Sequence, residues 1–317
     1  MKKNFINTTH IEGYIYEHSL EERVTGENSK APGTTFIMGN LDIATDEECT
    51  NIVSVHFTYV TEKTKSGSNN ATFGILKNII DGKMKTIMMS DKDSAAKVRI
   101  DSAIALNEFY SDRNGSEELV SVKRNEGGFV HAIDSVDPDE KTHNTFKCDM
   151  LITSVVHTDA DEERNTPEKV TIRGCTFNFR KDVLPIEFSV TNPSGMDYFT
   201  GLGATSTNPV FTCVWGRQLS QTVRREITTE SAFGEPEVRV VNSTRKDWVV
   251  TGCNPVPYDW DAEETLTAAE LTEMMANREV YLASIKQRQD EYKAQKAANN
   301  AATATANVAT AAGNFQF

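Results

Sequence analysis

The strongest candidate for binding chemistry in this sequence is an aromatic residue next to a cation. Trp215-Gly216-Arg217 lies in a segment with the pattern of a β-strand, where residues two apart point to the same face. An indole ring can stack on another flat ring, and a guanidinium can neutralise an anion. The basic pair Lys123-Arg124 is the next candidate, because Gly127-Gly128 would let the backbone approach an anionic group such as a phosphate closely.

Sequence motifs for catalysis or for metal binding are missing. The sequence contains no G-x-S-x-G elbow and no P-loop, and its histidines show no ligand spacing. The acidic loop at residues 159–163 lacks the glycine and the terminal glutamate of an EF-hand loop, and such a loop is more often only solvated. We therefore expect a protein that is not an enzyme and that needs no metal or cofactor.

Composition limits the class of protein further. The 317 residues suffice for about two domains, and the five scattered cysteines contain no C-x-x-C pair, which suits a reducing cytoplasm. No apolar run approaches a membrane span, and the start lacks a secretory signal, so we expect no membrane association. The net charge of −13 argues against coating nucleic acid by bulk charge, although a local basic groove remains compatible with it.

One pattern occurs twice in the chain. Residues 34–60 read as a strand that contains Gly39, a charged turn, and a second strand in which apolar and polar residues alternate. Residues 169–190 repeat this pattern, with Gly174 in the first strand and a charged turn before the second. The repeat predicts two similar hairpins in two similar domains.

The elements around the two hairpins follow the same order. Each half contains a strand, the hairpin, a short helix and two more strands, which is the order of an OB-fold. The helix of the first half is predicted at residues 71–80, and the second half has a short helical or turn segment at residues 196–202 in the corresponding place. We therefore predict a mainly β chain with two tandem OB-fold-like barrels, at residues 1–135 and 144–253.

The remaining residues differ in character from the two halves. Residues 254–296 are predicted as a linker and an amphipathic helix that begins near residue 268 and ends near residue 297. Its apolar stripe, interrupted by Arg278 and Gln289, could pack on a domain or mediate self-association. The stripe consists of Leu271, Met275, Leu282, Ile285 and Tyr292. Residues 297–317 carry no charge and few large apolar side chains, so we predict a disordered tail.

The first 130 residues or so resemble bacterial and phage single-stranded DNA-binding proteins of the OB-fold type. The resemblance is carried by residues 11–16, 36–41 and 55–57 and by the helix that follows them. The tail also resembles the tails of that family in being an extension with an aromatic end, although its end is not acidic. The resemblance implies single-stranded DNA binding in phage replication or recombination, in the cytoplasm of the host cell.

Binding a single strand requires cations along the phosphates and aromatic faces for the bases. For each candidate there is a structural alternative, because a strand aromatic is more often core and a surface arginine is more often only solvated. The residues selected for nucleic-acid binding are Tyr59, Lys77, Arg99, Phe109, Lys123, Arg124, Arg173, Trp215, Arg217, Arg224, Arg245 and Trp248. Phe315 and Phe317 at the end of the tail are selected as a hook for replication proteins, and the alternative is that the tail is inert.

Two functions from different classes fit these observations. The first is a non-catalytic single-stranded DNA-binding protein, and the second is a structural virion or assembly protein built on β-barrels. The fold alone does not decide between them, because OB-folds serve many functions. Salt-dependent binding of oligo-dT would favour the first, and assembly in the absence of nucleic acid would favour the second.

Overall fold

The computed structural model describes the backbone of residues 4–112, 116–161, 167–229 and 237–312, and the side chains of these residues except 221–245 and 297–312. The chain is mainly β, with a long helix at its C-terminal end. The strands are β1 (Asn7–His18), β2 (Glu21–Val24), β3 (Thr35–Ala44), β4 (Ile52–Thr61), β5 (Lys97–Ser111), β6 (Glu118–Ile133), β7 (Asn144–Thr158), β8 (Lys169–Phe177), β9 (Val183–Val190), β10 (Val210–Thr229) and β11 (Glu237–Cys253). The α-helices are α1 (Ala71–Ile80), α2 (Pro193–Gly201) and α3 (Ala268–Ala312). Two short 3-10 helices lie at Ile87–Met89 and Glu140–Thr142.

Five strands of the first half pair in a closed ring, here called ring 1. Going around it, β1 pairs with β3, β3 with β4, β4 with β6, β6 with β5, and β5 again with β1. The β4–β6 pair is parallel. The short strand β2, which the predicted order of elements lacks, pairs with β3 outside the ring. Its four residues are all exposed. Its sequence therefore lacks the alternation of apolar and polar residues that predicts a half-buried strand.

Five strands of the second half form ring 2 in the same order. Here β7 pairs with β8, β8 with β9, β9 with β11, β11 with β10, and β10 with β7. The β9–β11 pair, which corresponds to the β4–β6 pair of ring 1, is also parallel. Strands β1 and β7 are antiparallel neighbours, with Asn7 opposite Cys148, and so join the two rings in one hydrogen-bonded sheet.

The two rings have cores of different composition. Ring 1 packs aliphatic side chains such as Ile11, Leu41 and Val98 around Phe57, and α1 adds Leu76. Ring 2 is filled largely by aromatic rings, which are fully or almost fully buried: Phe146, Phe177, Phe188, Phe199, Phe211 and Trp248. Large apolar side chains of this kind contribute about 1.5–3 kcal/mol each when they are buried. Helix α1 has the bounds expected from the sequence, whereas α2 begins at Pro193, three residues before the segment expected to be helix or turn.

By internal contacts the chain divides into two compact units. The first consists of Met1–Ala105 and Lys123–Thr267 and contains both rings. The second consists of Leu106–Val122, which is the outer part of the β5–β6 hairpin, and Ala268–Phe317 with helix α3. None of the described helices is both long and apolar enough to cross a membrane.

Helix α3 contacts the hairpin of its own unit mainly through polar groups. The guanidinium of Arg278 forms an ion pair with the Glu108 carboxylate, and the two side chains are 9% and 1% exposed. The Oε1 of Gln289 accepts a hydrogen bond from the backbone N–H of Tyr110 at 2.9 Å. The Nε2 of Gln289 donates one to the backbone carbonyl oxygen of Tyr110 at 2.6 Å. The two polar residues that interrupted the predicted apolar stripe therefore make specific contacts.

The predicted stripe itself is only partly buried. Ile285 is 9% exposed, but Met275 is 42% and Tyr292 65% exposed. The helix also continues past its predicted end near residue 297. Its backbone is helical to Ala312. Alanine has the highest helix propensity, and the first glycine after that region is Gly313.

Candidate functional site

Trp215 and Arg217 line the same cavity, here called the Trp215 cavity, on the outside of ring 2. Its volume is about 380 Å³. It is formed by strands β7, β10 and β11 and by the residues around the short 3-10 helix that precedes β7. The lining residues are Lys141, Thr145, Phe146, Lys147, Trp215, Gly216, Arg217 and Thr251.

The strand register brings these side chains together. Trp215 of β10 lies opposite Lys147 of β7, and Arg217 lies opposite Thr145. Side chains two residues apart share a face of a strand, so the ring and the guanidinium point into the same cavity. The side-chain ammonium of Lys147 lies 5.8 Å from the centre of the Trp215 ring, within the range of a cation–π contact.

The orientation of the Trp215 ring depends on a glycine of the neighbouring strand. Trp215 pairs with Gly252 of β11. A Cβ at Gly252 would lie 2.5 Å from Nε1 and 2.6 Å from Cε2 of the indole. Because the ring occupies this space, one of its sides rests on the glycine backbone while 36% of the residue stays exposed. The arrangement gives a stacking platform for a second flat ring.

Two neutral acceptors hold the guanidinium of Arg217. Its Nε donates to Oδ1 of Asn144 at 3.0 Å, and its Nη2 donates to the carbonyl oxygen of Glu140 at 3.2 Å. Asn144 is fully buried, and its Nδ2 donates to the carbonyl oxygen of Gln218 at 2.9 Å. The positive charge of Arg217 is therefore held in place without being paired to a carboxylate by these contacts.

The Trp215 cavity is positively charged within an acidic protein. Lys141, Lys147 and Arg217 line it, and no Asp or Glu is found among its described lining residues. Across the described part of the chain, Lys141 and Lys147 form no ion pair with a carboxylate. An exposed aromatic ring among such cations suits a polymer of phosphates and bases. Neither lysine was selected from the sequence, because only the register of β7 against β10 shows that Lys147 faces Trp215.

A buried polar network connects the residues next to Arg217 with ring 1. The side-chain amides of Gln218 and Asn125 exchange two hydrogen bonds, at 2.7 and 2.9 Å. Asn125 belongs to β6 and follows Arg124, so the amide pair joins two of the sequence-selected segments. Gln218 and Asn125 are 5% and 3% exposed, and burial of this kind favours a fixed geometry when every polar group is paired.

The structure places the selected residues Lys123 and Trp248 together, but differently from a stacking site. Trp248 is only 8% exposed and packs on Phe146 and Phe188, so its ring is part of the core rather than offered to a base. The ammonium of Lys123 lies 4.9 Å from the ring centre of Phe188 and 5.8 Å from that of Trp248. Burial lowers the pKa of Lys123 to about 8.

Four other selected cations already have a carboxylate partner. The closest ion pairs are Lys77 with Asp81 (2.9 Å), Arg99 with Asp101 (3.7 Å), Arg124 with Glu126 (2.8 Å) and Arg173 with Glu187 (3.0 Å). An approaching phosphate would have to compete with these carboxylates. These four residues are thus weaker candidates than the cations of the Trp215 cavity.

Of the remaining selected residues, Tyr59 and Phe109 have described side chains, and neither lines the Trp215 cavity. Tyr59 is 48% exposed and packs against Phe36 on ring 1, and Phe109 is 40% exposed and belongs to the second compact unit. The side chains of Arg224 and Arg245, and all of Phe315 and Phe317, fall outside the described residues. Their selection stays a prediction.

Comparisons with known proteins identify similar solved structures and a family. Among solved structures, the chain is similar to a deletion mutant of the single-stranded DNA-binding protein from Thermus aquaticus, with 11% sequence identity and a TM-score of 0.46. The match covers 82% of this chain and 99% of that one. A comparison with curated proteins finds no match. The family model YorF matches residues 6–305, which is most of the sequence, and the chain therefore belongs to the YorF family.

Proposed function

We propose that this protein binds single-stranded DNA without catalysing a reaction, and that the Trp215 cavity is the centre of its binding surface. The observation that supports this most is the exposed Trp215 ring in a cavity that three cations line, with no acid among the described lining residues. Stacking of a base on an aromatic ring contributes about 1–3 kcal/mol, and cations beside it neutralise the phosphates.

The strand order of the two rings supports an assignment as tandem OB-folds. In each ring, three strands are followed by a helix and two further strands, and the five strands close on themselves with one parallel pair. An OB-fold is a five-stranded Greek-key barrel that often binds oligonucleotides. We assign the first OB-fold domain to residues 1–135 and the second to residues 144–253, followed by the linker and helix of residues 254–296.

The biological setting that we propose is phage DNA replication or recombination in the cytoplasm of a host cell. A protein that covers single strands during replication must hold many sequences, and stacking with phosphate neutralisation is tolerant of sequence. Contact with replication proteins through Phe315 and Phe317, and self-association through helix α3, complete the proposal.

A competition between single-stranded and duplex DNA tests the proposed function. A labelled oligo-dT is bound to the protein at about 50 mM salt and displaced with unlabelled oligo-dT or with a duplex of the same length. We expect the single strand to compete more strongly, because bases in a duplex are not free to stack on Trp215. Absence of binding, or equal competition by the duplex, would refute the proposal. In that case, assembly of the protein without nucleic acid would favour a structural role.

A further inference from the structure

A second cavity on ring 2, here called the Lys123 cavity, shares no lining residue with the Trp215 cavity. Its volume is about 270 Å³. It is formed by strands β8, β9 and β11 of ring 2, and Lys123 reaches it from strand β6. The lining residues are Lys123, Lys169, Thr171, Glu187, Phe188, Ser189, Lys246, Asp247 and Trp248.

Lys123 is the most deeply placed cation in this cavity. Its ammonium lies over the rings of Phe188 and Trp248 and donates one hydrogen bond to the backbone carbonyl oxygen of Glu187. An ammonium has three donors, so this contact leaves donors for a further acceptor. The hydroxyls of Thr171 and Ser189 lie in the same lining and supply additional donors.

The lining contains three ammonium groups and two carboxylates, and each carboxylate has a cation other than Lys123 as its ion-pair partner. Glu187 forms an ion pair with Arg173 at 3.0 Å, and Asp247 lies 3.9 Å from the ammonium of Lys169. Lys123 has no ion pair of its own within the described residues. A buried cation in that position is stabilised by an anion that enters the cavity, since opposite charges attract strongly where water is excluded.

We propose that the Lys123 cavity takes one phosphate group of a bound nucleic-acid strand, and that a proton from solvent is taken up by the Lys123 amine when the phosphate enters. This inference rests on the proposed function for the source of the phosphate. The chemistry that it assigns to the cavity is that of a tetrahedral oxyanion held by Lys123, Lys169 and Lys246.

The charged groups around Lys123 determine the sign of the proton linkage. Burial has the largest effect and lowers its pKa, Lys169 lowers it as well, and Glu187, Asp247 and Cys148 raise it; together they leave a pKa of about 8. Without a strand, Lys123 is therefore mostly protonated at pH 7 and mostly neutral at pH 9. An anion that prefers the protonated form binds more weakly as pH rises, and the loss between these two pH values is about tenfold.

Calorimetry on the full-length protein measures the linkage directly. Oligo-dT is titrated at pH 8 in two buffers of different ionisation enthalpy, which gives the number of protons taken up on binding. We expect uptake of about half a proton, because half of the Lys123 amines are neutral at a pH equal to their pKa. Inorganic sulfate, which does not titrate near pH 8, serves as a second probe.

The outcomes separate this inference from the proposed function. Proton uptake with oligo-dT alone assigns the cavity to the phosphate of a strand, and uptake with sulfate as well assigns it to oxyanions in general. Binding of oligo-dT without proton uptake overturns the inference and leaves the proposed function standing. Absence of oligo-dT binding refutes the proposed function, whereas sulfate-linked uptake would still support the cavity as an oxyanion site.

A charge-removing variant gives an independent check. Lys123→Met keeps an unbranched side chain over the two rings, and we expect its affinity for oligo-dT to be the same at pH 7 and pH 9. Lys65→Met removes a charge from an exposed loop and should retain the tenfold dependence. If Lys123→Met shows the same pH dependence as the natural chain, another group takes up the proton and the inference is wrong. The calorimetric measurement on the natural chain does not depend on the folding of either variant.

Discussion

Replacement of Trp215 by alanine removes the proposed stacking platform. A tryptophan has an accessible surface of roughly 250 Å², and 36% of Trp215 is exposed. Roughly 90 Å² is thus available to a base, and at about 25 cal/mol per Å² its burial contributes about 2 kcal/mol. We therefore expect Trp215→Ala to weaken binding of oligo-dT by about 2 kcal/mol, or roughly thirtyfold, which agrees with the range known for stacked bases.

Fluorescence anisotropy of a labelled oligo-dT at fixed salt and pH measures this change, and thermal unfolding of the same samples shows whether the variant is folded. Phe179→Ala is the matched control. Phe179 is 87% exposed and has Arg180 5.2 Å from its ring centre, so it is also an aromatic–cation pair but lies outside the Trp215 cavity. An unchanged affinity of folded Trp215→Ala, or an equal loss with Phe179→Ala, would refute the reasoning.

Three further predictions concern the supports of the site and of the helix. Gly252→Ala places a methyl group where the indole of Trp215 lies. The affinity for oligo-dT should therefore fall towards that of Trp215→Ala, with little change in melting temperature. An affinity equal to that of the unsubstituted protein would show that the ring position is irrelevant. Gln218→Leu leaves the buried Oδ1 of Asn125 without its Gln218 donor, although Nδ2 keeps its bond to the Ser54 carbonyl oxygen, and should lower the free energy of unfolding in urea by about 1–3 kcal/mol, whereas Gln218→Leu with Asn125→Leu should recover part of the loss. Glu108→Gln leaves Arg278 buried without its carboxylate, at a cost of about 3–5 kcal/mol, and should accelerate hydrogen exchange in α3; unchanged exchange would mean that the ion pair does not hold the helix.

Much of the fold follows from short-range patterns in the sequence. Helix α1 has the predicted bounds, because Phe73, Leu76 and Ile79 repeat at helical spacing and are all buried. Strand β2 was missed because all four of its residues are exposed, and its pairing with β3 is a contact between segments that a short-range pattern does not show.

The residues of the Trp215 cavity were predictable only in part. Trp215 and Arg217 could be selected because their spacing along one strand is enough to place them on one face. Lys147 and Gly252 belong to neighbouring strands, so their contact with Trp215 depends on register, which the sequence does not specify. Trp248 was selected because it is an aromatic residue beside cations on a strand. The same pattern fits a core residue, and the structure places Trp248 in the core of ring 2.

The salt dependence of oligo-dT binding tests the central claim most directly, because each phosphate contact on a single strand contributes about −0.7 to the slope of log K against log salt. Replacement of Lys141 and Lys147 by methionine should make the slope less negative by about 1.4 if both ammoniums contact phosphates. The control pair Lys30→Met with Lys65→Met changes the net charge equally on exposed loops and should leave the slope unchanged. A slope that responds equally to both pairs, or to neither, would contradict binding at the Trp215 cavity.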